Sequence, residues 1–301
     1  MFVFFRSEGS LAMTALSHLV FFDAGSAAVC VVVDVLGNFE VWRRSSIRHP
    51  FGLERSEVLA GFAMSIFLLF GGFDLVSHNV KHMLESVGDH TPHHTHVHQR
   101  ISPGSVDWAS LAAVTSTLVS AYGVKNHARI SRVMRVSYLS SLPSVLSNPF
   151  HFLTLSFSFL LLVLPLLSVA YYIWLDRLIC AAIAASMFGL GMRLAIAQGL
   201  MLLMSYGGGA GGSGVSSVIR EIEAEPSITR VEDAQFWQVH YGLGMARLTV
   251  RVDKGCDEGT LGRLRSRIST LIQNRLGEGY GHGGGLRWEV TLQMSMESQC
   301  I

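Results

Sequence analysis

Long apolar runs fill the first two-thirds of the chain, and a finer alternation of apolar and polar positions takes over in the last third. A bilayer core of about 30 Å asks for roughly 20 apolar residues in helical form. Five stretches meet that demand, at about 10–36, 58–76, 104–123, 149–175 and 178–205. The first contains Asp23 and Asp34, and the third is rich in the small residues that suit close helix contact in lipid. The fourth carries no charge, and the fifth holds only Arg193. Asp176–Arg177 separates these last two and reads as a tight hairpin.

YGGGAGGSG at 206–214 then reads as a flexible linker. VSSVIREIEAE (215–225) has helical apolar spacing and stops at Pro226. ITRVEDAQFWQV (228–239) and GMARLTVRV (244–252) alternate as the strands of a hairpin do. CDEGTLGRLRSRISTLIQNRL (256–276) returns to the helical period, and LRWEVTL (286–292) alternates again. The expected architecture is an α-helical transmembrane bundle over 1–205, a linker over 206–214, and an α+β domain of order αββαβ over 215–301, about 85 residues.

Composition agrees with that division. Half of the 301 residues are hydrophobic and 15% are charged, against about a quarter charged in a soluble domain. Mean hydropathy is +0.39. A net charge of +1 offers no broad basic field, so nucleic acid is not an expected partner; membrane lipid is. Cys30, Cys180, Cys256 and Cys300 show no paired spacing and imply no disulfide framework. Arg43, Arg44, Arg48 and Arg55 crowd the 37–57 loop, and Lys125, Arg129, Arg132 and Arg135 crowd the 124–148 loop. Positive charge marks cytosolic loops, so both loops and the C-terminal domain are expected in the cytosol, with 77–103 on the other side. Five spans then place the N-terminus outside, and the expectation is that one preceding helix is missing.

The 77–103 segment holds HHTHVH at 93–98. His78, His82, His90, His93, His94, His96 and His98 fall within its 21-residue stretch. Imidazole is a common zinc ligand whose pKa near ~6.5 lets affinity follow pH. Metal handling, at His90, His93, His94, His96 and His98 above all, competes with a solvated loop that binds metal only adventitiously. There is no phosphate-binding Gly-x-x-x-x-Gly-Lys loop, no Gly-x-Ser-x-Gly and no His-Glu-x-x-His, so no enzyme is expected. GEGYGHGGG (277–285) does not follow a strand and open a helix, and reads as a flexible turn.

HPFGLERSEVLAGFAMSIFLLF (49–70) resembles the stretch joining the second and third helices of the cation diffusion facilitator (CDF) zinc transporters. Phe51, Gly52, Arg55, Glu57, Leu59, Ala60 and Gly61 match the family's pattern there, and RVEDAQFWQV, with Trp237, is similar to its cytosolic strand. The resemblance implies six membrane helices, a ferredoxin-like cytosolic dimerisation domain, and zinc as cargo rather than catalytic cofactor. It also implies a tetrahedral site built from a His and an Asp four apart on the second helix and another such pair on the fifth, since residues four apart share a helix face. Here FFDAGSA puts Asp23 at an aspartate position and Leu19 at its histidine position. SNPFHFLTLS puts Asn148 and Phe152 at the other two, so Leu19, Asn148 and Phe152 mark lost ligand positions and Asp23 a residual one. His18 is one residue off, about 100° around the helix, and His151 lies off the expected face. Glu232, Asp233 and Gln235 stand where active relatives place histidines.

This departure resembles the non-catalytic partner-subunit branch of fungal secretory-pathway CDF proteins, similar to the histidine-poor partner subunit of animals. The implied role is a helper that heterodimerises with an active CDF subunit and supports zinc entry into the ER or Golgi lumen. Two alternatives stand beside it: a divergent zinc/proton antiporter active as a homodimer, and a lumenal metal buffer acting through the histidine loop.

Overall fold

The computed structural model describes residues 11–87, 103–124, 149–163, 169–206, 213–253, 255–277 and 286–296. Among the described residues six helices come first: α1 (Leu11–Leu36), the short α2 (Glu40–Arg43), α3 (Arg55–Val87), α4 (Pro103–Val124), α5 (Pro149–Val163) and α6 (Val169–Leu202). Then follow α7 (Ser213–Glu223), β1 (Ile228–His240), β2 (Leu243–Val252), α8 (Glu258–Gly277) and β3 (Arg287–Met296), the expected αββαβ order. Among the described residues three helical segments are long and apolar enough to cross a membrane: Leu11–Val33, Arg55–Lys81 and Trp174–Leu202. Ser110–Val119 and Pro149–Val163 are shorter apolar helices.

Two expectations about spans differ from what is observed. Asp176–Arg177 is no hairpin, because α6 runs through it. The Asp176 carboxylate, 7% exposed, accepts the backbone N–H of Leu11 at 3.0 Å and of Ala12 at 3.3 Å. A charge at a helix N-terminus is stabilised by backbone donors and dipole together, so the carboxylate has no need of a turn or of headgroups. Likewise α3 continues past the expected end at 76 to Val87, carrying His78 on helix rather than loop.

In the helical unit, Leu16, Leu19 and Phe22 of α1 join Phe150 and Leu161 of α5 and Ile183 of α6 in one apolar core. Glycines bring α3 and α6 close. A Cβ on Gly72 would stand 3.2 Å from the backbone nitrogen of Phe188 and 3.3 Å from the carbonyl oxygen of Ala184, and one on Gly191 would stand 3.2 Å from the backbone nitrogen of Leu69. Small residues permit such contact where lipid supplies no hydrophobic drive between helices.

In the C-terminal domain the sheet order is β1-β2-β3, with β1 antiparallel and β3 parallel to β2. The parallel step requires a crossover, which α8 supplies. Leu264, Ile268, Ile272 and Leu276 recur every four residues along α8 and are buried with Ala246, Leu248, Val250 and Val252 of β2. Gln273 ties helix to strand: its Oε1 accepts the Trp288 N–H at 2.8 Å and its Nε2 donates to the Leu286 carbonyl at 3.0 Å. By packing, residues Glu40–Leu59 and the end of α6 from Ala197 belong with this domain, so the compact units cut across the sequence-based boundary at 205.

Gly72→Ala should lower the thermal stability of the detergent-solubilised chain by about 1–3 kcal/mol, since two backbone atoms must give way. Gly189→Ala on α6, whose Cβ would meet nothing within 4 Å, should be neutral or stabilising through helix propensity. Equal melting of the two variants would contradict the close packing of α3 on α6.

Candidate functional site

Pro149 opens α5 with a ring whose fixed φ suits the first helical turn. Phe150, His151, Thr154, Ser158 and Leu161 are buried, while Phe152 is 37% exposed. On α1, Leu19 and Asp23 lie four apart at 0% and 3% exposure. The two helices pack against each other and against α4.

The structure brings Asp23 and His151 together. His151 Nδ1 lies 3.1 Å from Asp23 Oδ1, with the imidazole fully buried. The pair is close enough for an ionic contact but is not aligned as a hydrogen bond, and His151 Nε2 also lacks a protein partner. His151 therefore stands on the face from which the sequence reading excluded it, because α5 packs with its His151, Thr154 and Ser158 side inward and turns Phe152 outward. The residue four beyond His151 is Leu155. Each helix thus offers one polar and one leucine position at the spacing that two ligands on one face would need. The signal was present in the sequence: His151, Thr154 and Ser158 are spaced 0, 3 and 7 in a helix whose one other polar side chain is Ser156.

On the same packed helices, the hydroxyls of Ser110 and Thr117 on α4 and Ser158 on α5 are buried without a hydrogen-bond partner among the described residues. His18 turns toward α3, its Nδ1 3.9 Å from where a Cβ on Gly71 would stand. Among the described residues, no three His, Cys, Asp or Glu side chains converge to hold a metal. Asn148, His90, His93, His94, His96 and His98 lie outside the described residues. In the C-terminal domain Glu232 pairs with Arg251 across the β1–β2 ladder, and Asp233 and Gln235 stand opposite Thr249 and Arg247.

A family profile described as the cation efflux transmembrane domain matches residues 1–203. The chain is 27% identical over 278 residues to the probable zinc transporter zrg17 of Schizosaccharomyces pombe, covering 88% of this chain and 65% of that protein. It is 24% identical over 288 residues to zinc transporter 6 of Homo sapiens and to that of Bos taurus, covering 88% of this chain and 59% of each. The chain therefore spans less than two-thirds of the length of these curated relatives.

His151→Leu leaves a buried carboxylate without its imidazole and should destabilise the chain by about 3–5 kcal/mol. Adding Asp23→Leu should recover most of that loss, because two apolar side chains then fill the space. A double variant less stable than His151→Leu in thermal unfolding would contradict the mutual dependence of the pair.

Proposed function

The chain belongs to the cation efflux, or cation diffusion facilitator, family of membrane proteins, and on that premise we propose that it is a helper subunit of a zinc carrier rather than a carrier by itself. The relatives' names supply zinc as the cargo. The observation that carries the helper reading is the half-furnished pair of helix faces: Asp23 with Leu19, and His151 with Leu155. Tetrahedral zinc takes four nitrogen, oxygen or sulfur ligands. Asp23 and His151 supply at most a fraction of that set, and the leucines supply none.

On this reading the chain heterodimerises with a family member whose two His-x-x-x-Asp pairs are intact, and the complex delivers zinc into the ER or Golgi lumen. The arginine-bearing 37–57 loop, the 124–148 loop and the C-terminal domain face the cytosol. The histidine segment around 90–98 faces the lumen, where it receives or buffers zinc. A divergent transporter is the second reading, favoured by one observation: Asp23 and His151 already touch and could share an ion with water.

Zinc uptake into proteoliposomes separates the two. Vesicles holding this chain alone should take up no more zinc than empty ones. Vesicles holding it with the co-purified partner should take up zinc, with little change on Asp23→Ala and complete loss when the partner's own aspartates are replaced. Robust uptake by this chain alone, abolished by Asp23→Ala at equal protein level, would establish the divergent transporter instead.

A further inference from the structure

Where α6 ends, three segments meet within the unit that holds the C-terminal domain: the end of α6, the 49–55 turn and the tip of the β1–β2 hairpin. The last turn of α6 closes on Met204, a non-glycine residue at φ 56°, with the Ser205 N–H returning to the Leu200 carbonyl at 2.8 Å. The Arg55 guanidinium donates to the Leu202 carbonyl at 3.1 Å, placing a cation on the negative end of the helix. Arg55 is delivered by a turn in which Gly52, at φ 64°, donates its N–H to the His49 carbonyl at 3.0 Å. A side chain disfavours that left-handed backbone, so the glycine fixes where the next residues point. Glu54, its neighbour in sequence, reaches the tip of the β1–β2 hairpin, where its Oε2 lies 3.0 Å from His240 Nε2. Beside it Gln198 of α6 donates to the Tyr241 hydroxyl at 3.1 Å.

We propose that His240 and Glu54 form a proton-operated catch that holds the hairpin tip of the C-terminal domain to the Glu54–Arg55 turn and so to the end of the last membrane helix. The two ring nitrogens have different tasks. Nδ1 accepts the Gly242 N–H at 3.2 Å, which requires the neutral ring and leaves the proton on Nε2, the atom that faces Glu54. A second proton on Nδ1 would set two N–H groups against each other and break the tip's own turn.

The surrounding charges agree in direction. Burial lowers the His240 pKa below its ordinary value and outweighs Glu54, which raises it; Arg55 lowers it and Glu289 on β3 raises it. The docked tip thus prefers the neutral imidazole. Its contribution is present above the ordinary histidine pKa of 6.5 and is lost as pH falls through that value toward the lowered one. Acidification opens the catch.

Hydrogen exchange on the full-length chain in lipid nanodiscs, corrected for intrinsic rate, reads the catch directly. Between about pH 7.5 and about pH 5.5, spanning the histidine range, the wild type should lose protection severalfold at 49–59 and 240–243 together. H240Q, whose amide N–H reaches as far as Nε2 and does not titrate, should keep its protection at both pH values. E54A should expose both segments already at the higher pH. Slow exchange across 245–251 in every variant keeps local release distinct from unfolding. A wild type without pH response, an H240Q variant responding as the wild type does, or an E54A variant with segment 49–59 still protected would each overturn the catch. None of these readouts involves zinc, so the result is independent of the helper role.

Discussion

A carboxylate and an imidazole packed together inside an apolar helix bundle set the terms for everything near them. Neither Asp23 nor His151 has meaningful solvent contact, and an isolated charge in such a place is heavily penalised. Their proximity is what makes the arrangement tolerable, and it fixes the relation of α1 to α5. Phe22 and Phe150 stack beside them at a centroid distance of 4.6 Å, so one aromatic contact and one polar contact lock the same crossing. Such a pair is a poor source of net stability, because desolvation offsets attraction. Its value lies in register: slide either helix by one residue and a charged group meets leucine.

The same economy governs the helix ends. Asp176 on α6 takes the first backbone donors of α1, and Arg55 on α3 takes a terminal carbonyl of α6. Each terminus has unsatisfied backbone groups that water would otherwise serve. Ionic side chains from neighbouring helices serve some of them instead, so Asp176 and Arg55 are committed to backbone.

How much of this could be read from the sequence depended on whether the signal was periodic. The C-terminal domain was legible because period-2 and period-3.6 patterns alternate cleanly between 215 and 292, and the observed strands extend them by only a few residues. The bilayer-length runs were legible from apolar length, but their limits were not. A charged dipeptide inside an apolar run looks like a turn, and nothing local reveals that Asp176 is engaged by a chain segment 165 residues away. The phase of α5 failed for a similar reason: packing with distant helices decides which side faces inward, and a register off by one residue turns every face by about 100°. Composition alone pointed to the histidine segment, and composition carries no geometry.

What the leucines do is the last step. Leu19 is fully buried among Leu16, Phe22 and Phe150, so it fills volume in a packed core and leaves no polar wall on its side of Asp23. An ion seated between Asp23 and His151 would have to keep water on its remaining faces, against a leucine that cannot hydrogen-bond that water. Dehydrating the ion there would return little. The three unpartnered hydroxyls of Ser110, Thr117 and Ser158 lie on the other two contacting helices, α4 and α5, and they are neutral oxygens, weaker zinc ligands than imidazole or carboxylate. Among the described residues the interior therefore holds a buried polar pair but too few ligands to capture zinc tightly, the condition on which the proposed helper role rests.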